Sequence, residues 1–493
     1  MTGKERRMYT LGIDSSTQGV KALVYDAEAG KAVASASVNF GRDLPEYGCP
    51  DGFLPNADAA VRQADPVMWA AALDMVLARL QSQFDTSKID AVGGDGQQHG
   101  SVYLNVRWEA ALAGLAASAQ APASLPEALA GALARPVAPI WMDSSTHAQV
   151  AALDARFGDA LRARTGSPAI ERFTGPQIMK FVADDPDAFS ATRRIHLVSS
   201  FICSLLIGAD APIDVGDGAG MNLLDLSSCR WDAEICGFIS PALAAKLPAV
   251  GNGRAGALAP YFAKYGLRPG IPVAAFTGDN PASLVGVGAD RPGVAVVSLG
   301  TSDTFFAAMP TFRTDPDGFG HVFGNPSGGF MSLACFKNGS LAREKVRAMV
   351  GCGYDFFDEG AFEQAGGCGL RAFPYFEEEI TPIHPATGIE ADFDWNAASD
   401  AEKVVSVVRG QILNMFERTR WIGAFDVIRV TGGASRSKGI RDTIASVFGA
   451  KVETLEVPDS AAMGGAILAS RLLAYSRKIE SQIGPMPALR TGM

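Results

Sequence analysis

The sequence predicts an α/β protein built from two domains that face each other across a cleft. First, its 493 residues exceed what one hydrophobic core usually organises, so two domains of ordinary size are expected. Second, short β-branched runs alternate with stretches of helical period, the pattern of an α/β class. Third, one design occurs twice. YTLGIDSSTQGVKALVYD (Tyr9–Asp26) and VAVVSLGTSDTFFAAM (Val294–Met309) each run strand, tight polar turn, strand. Two such hairpins, each opening roughly half of the chain, suggest two domains descended from one plan.

The elements follow in order. The first hairpin reverses around Gly12, Ser15, Ser16, Thr17 and Gly19. Pro45 to Asn56 is glycine-containing, aperiodic and read as a surface loop. Asp65 to Gln81 has helical period, and IDAVGGDG (Ile89–Gly96) reads as a strand. The Ala-rich stretch from Ala110 to Ala134 predicts one or two surface helices interrupted by Pro122 and Pro126. LVSSFICSLLIG (Leu197–Gly208) reads as a buried helix and IPVAAF (Ile271–Phe276) as a strand. ADRPGVA (Ala289–Ala295) carries the Pro and Gly of a hinge, which divides the chain into 1–290 and 291–493. Gly351 to Leu370 is a second glycine-rich loop without period, a candidate lid. VIRVTGGASRSKGIRD (Val427–Asp442) is a strand entering a glycine pair and then a helix with Arg436 and Lys438 in its first turn.

Composition excludes several functions. A formal charge of -10 argues against nucleic acid, which needs a clustered basic face. No run of eighteen apolar residues predicts a membrane span, and the basic N-terminus lacks the apolar core of a secretory signal, so a cytoplasmic protein is expected. Seven scattered cysteines, an odd number without a C-x-x-C pair, fit reduced thiols rather than disulfides or structural zinc. Oligomeric state is not readable, which leaves a homodimer open.

Small residues at a strand-turn-strand bend let backbone N–H groups and hydroxyls approach a phosphate. Either hairpin alone is weak evidence, since an ordinary sheet also contains such turns. As a pair they predict a split clamp, with Thr17 and Gln18 on one side and Gly300 and Thr301 on the other. Gly432 and Gly433 stand at a strand-to-helix junction of the kind that holds nucleotides, although two glycines there also serve plain strand–helix packing. Asp14 closes the first strand, where a carboxylate can hold Mg²⁺ through water against phosphate oxygens. In DGQQHGS (Asp95–Ser101) the turn exposes Gln98 and His99, donors suited to sugar hydroxyls. Asp279, in FTGDNPASL, is a lone acid between small apolar residues and a helix start, a placement that the local sequence leaves without an assigned role. DVGDGAG (Asp214–Gly220) looks like a calcium loop but lacks the later Glu, so a structural role is expected.

In order along the chain stand GIDSSTQGVKALVYD, RDLPEYG, GQQHGS, PIWMDSST, ERFTGPQIMK, LVSSF, PIDVGDGAGMNLL, AFTGDNPASL, VSLGTSDT, CFKNGSL and TGGAS. By these motifs the sequence resembles the FGGY carbohydrate kinases over nearly its full length. The resemblance implies two actin-like domains, ribonuclease H-like and of the hexokinase type, closing on Mg-ATP and a sugar. It implies that His99, Arg172, Asp279 and Asn280 contact the sugar, that Asp279 is the proton acceptor, and that Gly433, Ala434 and Ser437 lie beside ATP. It leaves the aromatic residue against adenine as Tyr354 or Phe356. The implied activity is phosphorylation of D-xylulose at its terminal hydroxyl, with ribulose, another ketose or a polyol as rival acceptors. A nonenzymatic ATP- or sugar-responsive binding protein is the rival from another class; Asp14, Asp279 and both phosphate turns speak against it.

Overall fold

A computed structural model describes residues 7–455 and 459–483, with side chains described up to residue 475. The two hairpins seed two sheets of the same plan. In the first, the strands run in the order 31–39, 19–26, 9–15, 89–96, 272–274, with 254–257 at the far edge. In the second they run 330–336, 303–309, 294–299, 427–431, 451–454, with 321–324 outside the first of these. Numbered within each half, both sheets read 3-2-1-4-5. Strands 1, 2 and 3 are antiparallel, and strands 4 and 5 join parallel. The echo in the sequence is therefore a repeated topology, and the mixed α/β class with two actin-like halves holds.

Both reversals are short: Ser15 pairs with Val20 across residues 16–19, and Leu299 with Asp303 across 300–302. Strand Ile89–Gly96 is buried along nearly all of its length, as expected of a parallel strand covered on both faces. Pro66–Gln81 forms the expected helix. Asp65 caps it by accepting from the Val67 N–H, Pro66 occupies the first turn, and Met68, Trp69, Leu73, Val76, Leu77 and Leu80 enter the core. Val198–Ile207 is a helix buried on every side.

Two expectations need correction. The stretch Ala110–Ala134 is not a surface feature alone, because the helices Arg107–Ala117 and Leu125–Ala128 bury Trp108, Leu112, Leu115 and Leu125. Gly351–Leu370 is not an aperiodic loop. Phe356–Gly360 makes a wide helical turn that continues into the helix Ala361–Ala365, with Phe357 and Ala361 buried in the second core. Glycines at both ends mask a period only ten residues long.

The last helix, Ser460–Ile483, returns to the first sheet. It lies against the strands 9–15 and 89–96 and along the helix Asp279–Gly286. The approach is backbone to backbone. A Cβ on Gly12 would stand 1.9 Å from the Ala462 carbonyl oxygen, one on Gly464 1.9 Å from that of Ala282, and one on Gly286 1.8 Å from that of Ser460. The helix that begins with Asp279 is thus held from behind by the end of the chain. Among the described residues no helix is long and apolar enough to cross a membrane.

Candidate active site

Asp279 opens the helix Asp279–Gly286 directly after the two-residue strand Thr277–Gly278, which pairs with Asp95–Gly96. The register of the first sheet therefore places the end of strand 89–96 and its following turn, Gln97–His99, beside this helix start. Gly278 allows the contact, since a Cβ there would meet the Gln98 Cγ at 2.4 Å. The Asn280 N–H donates to Asp279 Oδ1 at 2.8 Å, and Asn280 Nδ2 donates to Gln98 Oε1 at 2.8 Å and to Asp279 Oδ1 at 3.0 Å. Gln98 Nε2 is left buried and unpaired, a donor available to a substrate. Burial, followed by the charge of Asp14, pushes the Asp279 carboxyl up to about 7. A carboxyl tuned this close to neutrality can take up a proton at working pH.

The sequence places His99 and Gln98 on an exposed turn; both are buried. His99 adopts a left-handed backbone (φ 68°), uncommon for a side-chain-bearing residue and characteristic of functional positions. Its ring stacks on Phe173, with centroids 4.3 Å apart and planes at 20°. Nδ1 lies 2.8 Å from the Gly220 carbonyl oxygen. Burial, with the positive charge of Arg172 second, lowers its pKa to about 3, so the ring is neutral. A carbonyl accepts only, which assigns the proton to Nδ1 and leaves Nε2 as an acceptor for a hydroxyl. Arg172 is half-buried and has no hydrogen bond or ion pair among the described residues. Its neighbour Thr174 donates to the His99 carbonyl at 2.9 Å.

Several residues of this wall receive no role from the sequence, although Phe173, Gly220, Trp141 and Asp95 lie within the quoted motifs. Phe173 and Gly220 hold the His99 ring as described. From the second sheet, His321 and Phe323 approach the same stack, with His321 5.8 Å from Phe173 and Phe323 6.5 Å from His99. Residues separated by more than a hundred positions carry no local signal of such a meeting. Trp141, 41 % exposed, donates from Nε1 to Thr17 Oγ1 at 2.8 Å and so joins the PIWMDSST segment to the first turn. Asp95, wholly buried, sits in register with Asp14. Burial and then the Asp14 carboxylate push the Asp95 pKa well above the usual range.

Asp14 itself is raised to about 6, by burial first, against the lowering effects of the hydrogen bond with Asp95 and the charge of Lys21. Its Oδ1 is buried without a partner. Thr17 and Gln18 stand on the reversal, where the Gln18 carbonyl accepts from the Phe40 N–H. Lys21 reaches across to pair with Asp459, just ahead of the last helix.

A cavity of about 430 Å³ in the second half brings together Gly300, Thr301, Gly433 and Ala434, with Tyr354 and Phe357 on its wall. Gly432 closes the strand behind them at φ 92°, where a Cβ would stand 2.3 Å from the Leu299 carbonyl oxygen. Of the two aromatic candidates, Tyr354 faces this cavity beneath the Arg347 guanidinium, 4.2 Å from the ring centroid. Phe356 packs against the second core, and its neighbour Phe357 reaches the cavity. Ser437 turns away. It caps the helix Lys438–Phe448 by accepting from the Ile440 N–H and donates to the Asp358 carbonyl at 3.1 Å. Arg436 belongs to a short 3-10 turn, Gly433–Arg436, that precedes this helix. In DVGDGAG, Asp214 caps a turn by accepting from the Gly216 and Asp217 N–H groups.

The chain is similar to known proteins over nearly its full length. The N-terminal domain of the FGGY family of carbohydrate kinases matches residues 134–286, and its C-terminal domain matches 295–473. The chain is 39 % identical to the xylulose kinase of Rattus norvegicus, over 99 % of this chain and 94 % of the relative. It is 36 % identical to xylulose kinase 2 of Arabidopsis thaliana, over 93 % and 86 %. Among solved structures, a xyloylose kinase from Brucella ovis superposes with a TM-score of 0.78 at 26 % identity, covering 95 % of this chain and 91 % of the other.

Proposed function

We propose, from the premise that the chain belongs to the FGGY family of carbohydrate kinases, that this ATP-dependent sugar kinase acts on D-xylulose and yields D-xylulose 5-phosphate and ADP. The observation that carries the mechanism is Asp279, a carboxyl raised to about 7 at a helix start beside the free Gln98 Nε2. The names of the relatives support the choice of sugar.

In this reading Asp279 takes the proton of the terminal hydroxyl as that oxygen attacks the γ-phosphorus and the bond to the β-phosphate oxygen breaks. Because the phosphoryl transition state is loose, the proton leaves late and the carboxylate contributes chiefly by orienting the alcohol. Neutral His99 accepts a sugar hydroxyl at Nε2, Gln98 and Arg172 donate to others, and Asn280, whose amide hydrogens are held by Gln98 and Asp279, accepts one at Oδ1. The reversals at Thr17–Gln18 and Gly300–Thr301 turn backbone donors toward the phosphates, with Gly432, Gly433 and Ala434 against the nucleoside.

Mg²⁺ fits Asp14: its unpaired Oδ1 offers one carboxylate, and this ion usually takes one or two carboxylates together with phosphate oxygens and water. When bound, it neutralises charge on the transferred phosphate. The same reading divides the chain at 290/291 and assigns it to the cytoplasm, which the seven free cysteines favour. Sugar-dependent ADP release across a panel of ketoses, aldoses and polyols tests the proposal. Release highest with xylulose supports it, a polyol or ribulose preference replaces the acceptor, and silence with every sugar rejects the kinase reading.

A further inference from the structure

The nucleotide cavity has an arginine on its wall that is not free to hold a nucleotide. Arg343 lies on the helix Ser340–Val350, and its side chain is only 4 % exposed. Nη1 donates to Asp303 Oδ2 at 2.7 Å and to Gln411 Oε1 at 3.2 Å; Nη2 donates to Asp303 Oδ1 at 2.8 Å and to Ser340 Oγ at 2.8 Å. The fork is spent on Asp303, which neutralises it. A phosphate clamp needs an unpaired cation, so the side chain must serve the cavity in another way.

Its partner shows how. Asp303 is the first residue after the reversal Gly300–Ser302 and is 3 % exposed. The helix it grips begins against that same reversal. The Ser340 N–H donates to the Gly300 carbonyl at 2.9 Å, and a Cβ on Gly339 would stand 2.7 Å from the Asp303 nitrogen. From the far side Glu379 accepts from the Lys337 and Asn338 N–H groups. The segment Lys337–Ser340 is therefore fixed at both ends, and Asp303–Arg343 sets its distance from the turn that faces the phosphates.

A buried ion pair is a poor source of stability, because taking both charges out of water costs about what their attraction returns. Burial pushes the Asp303 carboxyl above its usual value even beside the guanidinium. What a two-pronged pair supplies is a fixed geometry. We propose that Asp303 and Arg343 are positioning residues for the nucleotide: they register the helix Ser340–Val350 against the turn Gly300–Thr301 and thereby set ADP and ATP affinity. The inference rests on the kinase reading for the identity of the ligand.

The test replaces the pair with apolar side chains of similar size, Asp303→Leu with Arg343→Met, in the full chain. Calorimetric titration with ADP should show at least fivefold weaker binding, while the thermal midpoint stays at or above that of the wild type. Steady-state kinetics should show KM for MgATP rising to the same extent and KM for the sugar within twofold. A purely structural pair would lower the midpoint and leave ADP affinity alone, and ADP binding within fivefold in the folded variant overturns the proposal. If the double variant does not fold, Arg343→Lys, which keeps the charge and loses the fork, is judged by the same fivefold criterion. A wild-type chain that binds ADP yet phosphorylates no sugar sinks only the kinase reading, whereas one that binds no ADP sinks both.

Discussion

Replacing Asp279 by Asn should destroy activity and stabilise the protein. Asn keeps an Oδ1 acceptor for the Asn280 N–H and fills the same space, so the helix start is preserved. What disappears is the proton acceptor, whose loss is expected to lower turnover by about 10²–10⁴-fold, or roughly 3–5 kcal/mol of barrier. Stability moves the other way. The native carboxyl is raised from 3.8 to about 7, so between those values the folded state binds more protons than the unfolded one. Wild-type stability attributable to this group is therefore full below about pH 4 and falls as pH rises to about 7. Full burial of the charge would set a ceiling of about 4 kcal/mol; because Asp279 is only half-buried, a gain of about 1–3 kcal/mol for the variant at pH 8 is expected.

Denaturant melts at pH 4.5 and 8 measure this gain, which should shrink toward the acid end. Sugar-dependent ADP release across the same range should show a wild-type kcat/KM that climbs toward a plateau above about pH 7, a limb that the variant lacks. Turnover within tenfold of wild type, an intact acid limb, or a variant less stable at pH 8 would refute the reasoning.

Three other substitutions probe the site. Gly464→Ala puts a Cβ 1.9 Å from the Ala282 carbonyl, so the last helix must part from the helix carrying Asp279; a loss of about 2–4 kcal/mol in a chemical melt, with reduced kcat, is expected. His99→Ala removes the Nε2 acceptor and the stack on Phe173, which should raise sugar KM about tenfold or more while ATP KM stays within twofold; unchanged sugar KM would remove His99 from the sugar wall. Ser437→Ala loses a helix cap and should cost about 1 kcal/mol, yet leave ATP KM within twofold, since its hydroxyl is already spent on the Asp358 carbonyl and the Ile440 N–H.

Local chemistry writes part of this protein directly into its sequence. A β-branched run followed by Gly, Ser and Thr specifies a strand and a tight reversal through backbone sterics alone, so both hairpins and their topological equivalence could be read from Tyr9–Asp26 and Val294–Met309. The role proposed for Asp279 was legible only through the resemblance of its motif to the family, because an acid at a helix start is locally just as well explained as a cap. The tertiary structure alone decided which groups meet. It buried Gln98 and His99 by laying Phe173 and Gly220 against them and brought His321 across from the other sheet. It bound the Ser437 hydroxyl to the Asp358 carbonyl and spent the charge of Arg343 on Asp303. It also carried the end of the chain back over Gly12 and Ala282, a contact set by backbone approach between residues more than 170 positions apart. Pairing of this kind depends on where whole elements come to rest, and no neighbouring residue encodes it.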